Sequence, residues 1–402
     1  SSRTSAKISS STASGRLRRD ELRVSFASRA AIAGIGQTEF SKDSGRSELR
    51  LACEAVMAAL GDAGLAPHDV DGLATFTMDN NPEIEVARAI GAGPLRFFSR
   101  IHYGGGAACG VIMQAALAVA SGAAEVVVCY RAMNERSMQR FGIGTTPLAK
   151  VATTETAHFG WYVPFGLATP ASWVAMQAQR YLHDYGASTE DFGRVSVACR
   201  RHAATNPNAW FYRKPITLEE HQASRWIVRP LRLLDCCQES DGAVAVIVTS
   251  TERARDLRQP PAVIRAAAQG ASVDQQMMTS YYRDAIGDLP EMSFVASQLY
   301  AQSGVGPRDF QTAVIYDHFT PFVLAQLEAF GFCKPGEAKD FVKGGNIELG
   351  GALPVNTHGG QLGEAYIHGM NGIAEGVRQV RGSAVNQVRD VEHVLVTAGT
   401  GV

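Results

Sequence analysis

The sequence predicts a duplicated α/β fold, with helices and sheets in stacked layers and a loop domain inserted between the two halves. Three observations predict it. Two distant segments carry the same unit, namely HYGGGAACGVIMQAALAVASGAAEVVVCYRA from His102 and THGGQLGEAYIHGMNGIAEGVRQVRG from Thr357, the latter leading into EHVLVTAGTG from Glu392. Each runs from a glycine-rich loop through a small-residue helix of four to five turns and a glycine stop to a β-branched strand beginning at Glu125 or Glu392. The strand runs Val126–Val128 and Val394–Val396 are continuously apolar, as strands covered on both faces are. Between the repeats the texture changes, and all four tryptophans fall among polar and basic residues.

In chain order, residues 1–29 are Ser- and Arg-rich, poor in acid and without an apolar period. They have the composition of a transit peptide, a leader or a mis-assigned start, and folding is expected to begin near Ala30. AAIAGIG, from Ala30 to Gly36, reads as a short buried strand. Glu48 to Leu60 follows at helical spacing up to a stop at Gly64, which makes a β–α opening. The first half is expected over 30–130 with 235–255, a loop domain covering the substrate site over 131–234, and the second half over 256–402. Rings such as Trp161, Trp173, Trp210 and Trp226 suit a lobe that covers a ligand, with about half of them serving only as packing.

The bulk numbers exclude several functions. A chain of 402 residues with 46% hydrophobic content can bury two or three domain cores. A net charge of −1 provides no field for nucleic acid or anionic lipid. No apolar run reaches the ~18–20 residues that span a bilayer, since Val111–Val128 is broken by Ser121, Gly122 and Glu125. The seven cysteines lack CxxC or framework spacing and read as buried, reduced thiols of a cytoplasmic protein, and the histidines and cysteines show no ligand spacing, so no metal is expected.

The duplicated half, the inserted loop domain and the glycine loops before both central helices resemble the thiolase superfamily, from Ala30 to Val402. The string NPNAWFYRKPITLEEHQASRWIVRPLRLLDCCQESDGAVAVIV from Asn206 is similar to the sterol-carrier-protein thiolase and lipid-transfer branch. That resemblance implies five layers, helix–sheet–helix–sheet–helix, and four reactive motifs, each of which is altered here. Counting back from Gly122 by the family's spacing places the nucleophile at Gly105 and not at Cys109. Counting forward from Gly359–Gly360 puts Tyr366 at the histidine of the GHP turn, with Gly369 and Gly372 kept. YDHF from Tyr316 falls on the Asn/His-x-x-Phe motif, and the late loop TAGTG from Thr397 lacks a cysteine.

An acyl-enzyme needs a thiolate, and Gly105 supplies none. What remains is a pair of phenols, Tyr316 and Tyr366, with backbone N–H groups at Gly105, Gly106, Gly399 and Gly401 able to hold an enolate oxygen, each such donor being worth about 3–4 kcal/mol. Enolate stabilisation with proton transfer suits a retro-aldol reaction on a β-hydroxyacyl-CoA. A free phenol is a poor base at neutral pH, so one tyrosine would need a charge or strong donor beside it. His318, His358, His368 and His102 are the candidates, with Asp317 adjacent, although lone histidines on glycine loops are commonly structural.

HYGGGAA, CYRAMNER, IYDHFTPF and NTHGGQLGEAYIHGMNGIAEG resemble the thiolase-like steroid aldolases of actinobacterial sterol side-chain degradation. That resemblance implies cleavage of 17-hydroxy-3-oxo-4-pregnene-20-carboxyl-CoA to androst-4-ene-3,17-dione and propionyl-CoA. It implies no cofactor in this chain beyond the coenzyme A of the substrate. It also implies a homodimer working with a small OB-fold, zinc-ribbon protein whose zinc belongs to that partner. The competing readings are a non-catalytic acyl-CoA or sterol lipid-transfer protein and a scaffold for a partner enzyme.

Overall fold

A computed structural model describes residues 26–76, 79–102, 105–138, 140, 159–276 and 279–399. The first half forms a six-stranded sheet from β1 (Ala30–Gln37), β2 (Gly72–Phe76), β3 (Phe97–Ile101), β4 (Val126–Asn134), β5 (Asp241–Ser250) and β6 (Ala262–Val263), in the order β3-β2-β4-β5-β1-β6. β2 pairs in parallel with β3 and β4, while β5 runs antiparallel between β4 and β1 and pairs Asn134 with Asp241 and Ala30 with Ser250. Helices α1 (Glu48–Ala63) and α2 (Glu83–Ile90) cover one face and bury Leu51, Val56 and Leu60 against Val126, Val128 and Ile247. Ser47 caps α1 by accepting from the Arg50 amide at 3.2 Å, and Gly64 ends it at φ 76°, the expected stop.

Helix α3 (Ala107–Ser121) covers the other face. On it lie Val111, Ile112 and Ala115, packed with Val127, Val246 and residues of a late helix, Met370–Arg381. The second sheet holds the parallel pair β7 (Thr312–Val314) and β8 (Val394–Val396), with Val355 bridging to Ala313. The remaining helices of ten or more residues are α4 (Pro170–Tyr185), α5 (Thr189–Thr205), α6 (Pro290–Ser303), α7 (Thr320–Ala329) and α8 (Met370–Arg381). α4 to α7 share a core with the second sheet, built on Phe192, Met292, Phe322 and Leu395. The layers are therefore helix, sheet, helix, sheet, helix, as the family resemblance implies, and both strand runs are covered on their two faces, as their apolar character predicts. In the central layer α8 closes on the second sheet through Gly372 and Gly376, where an added β-carbon would stand 2.8 Å from Val314 and from Val396.

The second repeat departs from the expected helix of four to five turns. It has one turn, Gly360–Gly363, then a break, and α8 starts only at Met370. His368 (φ 50°) and Gly369 (φ 85°) are left-handed and interrupt the helix, so the segment between them and Glu364 presents Tyr366 as a loop residue. Between β8 and residues 262–268 lies an apolar cavity of about 500 Å³ lined by Ile112, Ile264, Ile373, Val394 and Val396.

Candidate active site

Tyr316 follows β7, with its amide donating to Thr397 Oγ1 (3.0 Å) and its carbonyl accepting from Gln326 Nε2 (2.8 Å). Tyr366 is fixed at its backbone, where the amide donates to Ser240 Oγ at 3.1 Å. These anchors bring the two hydroxyls to 3.2 Å from one another, from chain positions 50 residues apart. The Tyr316 ring lies in a glycine cradle. A β-carbon at Gly105 would stand 1.6 Å from the Tyr316 hydroxyl oxygen, one at Gly399 2.9 Å from its ring and one at Gly369 3.2 Å from it. The phenol therefore occupies the space in which a side chain at 105 would stand.

Gly105 and Gly106 lead into α3, with Gly106 as its first capping residue. The Gly399 amide donates to the Gly105 carbonyl at 3.3 Å, which ties the two glycine loops together and commits that N–H to the protein itself. Gly401 lies outside the described residues. Cys109 sits one turn inside α3, donates its thiol to the Val396 carbonyl at 3.4 Å and is pushed up to about 12 by burial, so it is no nucleophile.

The histidines divide into two groups. His318 stacks near Tyr316 (ring centroids 4.9 Å) and against Phe322 (4.5 Å). Its Nδ1 is buried without a partner, and burial lowers it to about 3. His368 meets Tyr366 edge-on (5.0 Å) and lies flat on Phe76. Its Nδ1 accepts from Arg131 Nε at 3.1 Å, which leaves the proton on Nε2. Burial and then the Arg131 charge hold it well below the usual imidazole range. His358 lies in a separate buried network, 3.9 Å from Glu364, and is lowered to about 3 by burial. Asp317 turns away from the phenols and accepts from the Gln361 (2.7 Å) and Leu362 (3.3 Å) amides, shaping the turn before Tyr366, with burial raising it to about 6.

None of these imidazoles is therefore a cation at neutral pH, and none lowers a phenol. Burial raises both hydroxyls well above the usual tyrosine range. For Tyr366 the neighbouring Tyr316 adds to the rise, and for Tyr316 the bond from Tyr366 partly offsets it. At neutral pH both are proton donors. Sequence reasoning passed over Arg131, which pairs with Asp79 at 3.0 Å in the interior and holds His368. It also passed over Cys237 and Glu135, whose charges would act on both phenols. Their signal was present, because Glu135 directly follows the carboxyl end of a buried strand, where α/β folds place their chemistry. Among the described residues no group of three His, Cys, Asp or Glu side chains could hold a metal ion, and no helix is long and apolar enough to cross a membrane.

A duplicated, five-layered fold with two glycine loops joined over facing side chains defines the thiolase superfamily, and residues 270–402 match the family described as thiolase C-terminal domain-like. Human mitochondrial 3-ketoacyl-CoA thiolase has the same fold, with a TM-score of 0.63 at 16% identity over 93% of this chain and 97% of that one. Over 93% of its length the chain is 68% identical to the steroid side-chain-cleaving aldolase of Thermomonospora curvata (95% of that protein). It is 67% identical, again over 93%, to the 17-hydroxy-3-oxo-4-pregnene-20-carboxyl-CoA lyase of Mycobacterium tuberculosis (97% of that protein). A solved Ltp2-ChsH2(DUF35) aldolase superposes with a TM-score of 0.90 at 66% identity, covering 94% of this chain and 96% of that one. The chain belongs to the steroid side-chain-cleaving aldolases of the thiolase superfamily and is a carbon–carbon lyase, not a thiolase.

Proposed function

We propose that the chain cleaves 17-hydroxy-3-oxo-4-pregnene-20-carboxyl-CoA to androst-4-ene-3,17-dione and propionyl-CoA, with Tyr366 and Tyr316 moving the protons. The observation that carries this reading is the Tyr316 hydroxyl in the space of a side chain at Gly105, 3.2 Å from Tyr366, which exchanges a sulfur nucleophile for a proton-transfer pair. Tyr366 takes the proton of the tertiary hydroxyl in exchange for its own phenolic proton, the bond between Cα and Cβ breaks, the ketone leaves, Tyr316 protonates Cα of the resulting enolate, and the proton given up by Tyr366 replaces the one Tyr316 has lost, so both phenols end neutral. The amides at Gly105 and Gly106, beside the α3 N-terminus, hold the thioester oxygen as it becomes anionic. Gly399 contributes by fixing Gly105. The segment 131–234 covers the steroid, with Trp161 and Phe165 exposed on it at 70% and 80%.

Two observations support the proposed partners, the relatives and the open sheet edge. β3 is the edge strand of the first sheet and exposes Phe98 (63%), which fits a homodimer formed edge to edge; a monomer by sedimentation would end that part of the reading. The solved relative is an Ltp2-ChsH2(DUF35) aldolase, which supports a DUF35-type partner for this chain; that this partner is a small OB-fold, zinc-ribbon protein carrying its own zinc is what the family resemblance implies. Incubating the chain, with and without that partner, with the steroid CoA thioester is expected to release the ketosteroid and propionyl-CoA in equal amounts. Tyr316→Phe and Tyr366→Phe should each lower kcat by about 100-fold or more with KM little changed. A carrier would bind the thioester unaltered and be indifferent to both substitutions, and that result would overturn the proposal.

A further inference from the structure

The phenol pair lacks a group able to keep a proton between the two halves of the reaction, since both hydroxyls are donors at neutral pH and the surrounding histidines are neutral. The backbone points to one. Along β4, alternate side chains face the central helix layer: the Cys129 thiol meets the Val111 carbonyl of α3 at 3.8 Å, and Arg131 donates to His368 at 3.1 Å. The intervening Tyr130 belongs to the opposite face, in the core under α1. Glu135 directly follows Asn134, the last residue of β4, at the start of the turn that β4 leads into. It stands one step beyond the last ladder pair, Asn134 with Asp241, and hence opposite Ser240, the residue that holds the Tyr366 amide. The Glu135 side chain is buried (4% exposed), it takes a hydrogen bond from the Ser240 amide, and its Oε2 has no partner. A buried carboxylate oxygen left unsatisfied costs about 1–3 kcal/mol or more, so its presence in a group whose charge acts on both phenols calls for a use.

We infer that Glu135 is the positioning residue that holds the transferred proton, acting through Tyr366 in a relay Glu135–Tyr366–Tyr316; this deepens the proposed retro-aldol reaction and rests on it. In the forward direction the Glu135 carboxylate accepts the Tyr366 phenolic proton as Tyr366 takes the proton of the substrate hydroxyl. The Cα–Cβ electron pair moves onto the thioester carbonyl, giving ketone and enolate. Tyr316 then delivers its proton to Cα, Tyr366 reprotonates Tyr316 across 3.2 Å, and Glu135 returns its proton to Tyr366. One proton leaves oxygen, one arrives at carbon, and the protein ends as it began. Burial, with the nearby Glu239, raises the Glu135 carboxyl well above its ordinary range, which makes its ionised form a stronger base than a surface carboxylate.

The titratable groups facing this carboxyl are Glu239 and Cys237 before β5, Arg131 on β4, Lys42 after β1, and the two phenols, with Arg136 close to Lys42. Lys42, lowered to about 8 by burial, is expected to set an alkaline limb in the rate, and Glu135 the acid one. Glu135→Gln in the full chain is expected to lower kcat by roughly 100-fold or more and to abolish the acid limb of kcat against pH, with KM within about threefold and the alkaline limb intact. Glu135→Asp should recover at least about tenfold of that loss, with its acid limb retained. If Glu135→Gln does not fold, Glu135→Asp carries the test, because wild-type kcat with an unshifted profile would overturn the relay. Glu135→Gln turning over normally while both Tyr→Phe variants are inactive overturns Glu135 alone. Normal turnover by the tyrosine variants, or no ketosteroid from the wild type, overturns the tyrosine reading and the relay with it.

Discussion

A thiolase nucleophile and the Tyr316 phenol compete for the same few cubic ångströms, and the β-carbon position 1.6 Å from the hydroxyl leaves no arrangement in which both fit. It follows that the exchange of cysteine for glycine and the arrival of the tyrosine are a single steric event, and that restoring one alone cannot restore the old reaction. Gly105→Cys is accordingly expected to push Tyr316 off its partner, lowering lyase turnover by about 100-fold or more while producing no thiolysis or acyl-enzyme. Intact-protein mass spectrometry after incubation with an acyl-CoA, together with the lyase rate, checks this. A covalent adduct at position 105 in an otherwise folded protein would refute the steric account. The same reasoning explains why the site was legible at Gly105, Tyr316 and Tyr366, since all three lie on local motifs whose glycine spacing survives in the sequence.

Elements decide what the motifs could not. The β4 register against β5 sets Asn134 opposite Asp241 and so brings Glu135 beside Ser240, a juxtaposition made by residues far apart in the chain and invisible to local pattern. The helix and strand bounds, by contrast, followed from periodicity and stops. The expected strand from Ala30 is β1, Ala30–Gln37, and the expected helix from Glu48 is α1, ending at the Gly64 stop. The second repeat helix was overextended because glycine and small residues read as continuous helix, whereas the left-handed pair His368–Gly369 divides it. That division is held from β4, where Arg131 grips both His368 and Asp79, and the Asp79 carboxylate in turn accepts from the Ala132 amide at 3.0 Å and the Asn81 amide at 2.9 Å. Asp79→Ala would strand a buried guanidinium and is expected to cost about 3–5 kcal/mol, seen as a fall of several degrees in Tm, and to lower turnover through a displaced His368. Wild-type Tm and rate would show that the pair has no structural part in the site.

At the scale of the whole molecule, the loop helices and the second half are joined at the turn that presents Tyr366. The Trp210 amide donates to the Glu364 carbonyl at 3.0 Å, Asn206 Nδ2 donates to the Glu364 carboxyl at 3.1 Å, and Asn371 at the start of α8 donates to the same carboxyl at 3.0 Å. Glu364 is thus a buried acid at the junction of three segments, and burial pushes it up to about 7. Its ordinary value in an unfolded chain is near ~4.3, so between those pH values the folded protein keeps a proton that the unfolded chain has released. By linkage the contribution of Glu364 to stability is fully present below about pH 4 and declines as pH rises to about 7, above which it is constant. Asp317, raised to about 6, slopes the same way. His318 and His358, held near 3, slope oppositely, because the unfolded chain alone protonates them as pH falls through ~6.5. The wild-type profile sums these opposed slopes, and Glu364→Gln isolates one of them. The unfolding free energy of the wild type minus that of Glu364→Gln is expected to fall by roughly 3 kcal/mol between pH 4.5 and 8, at about 1.4 kcal/mol per pKa unit. Urea titrations at intervals across that range measure the difference, and a difference independent of pH would mean that Glu364 is ionised in the fold and that the junction is held by charge.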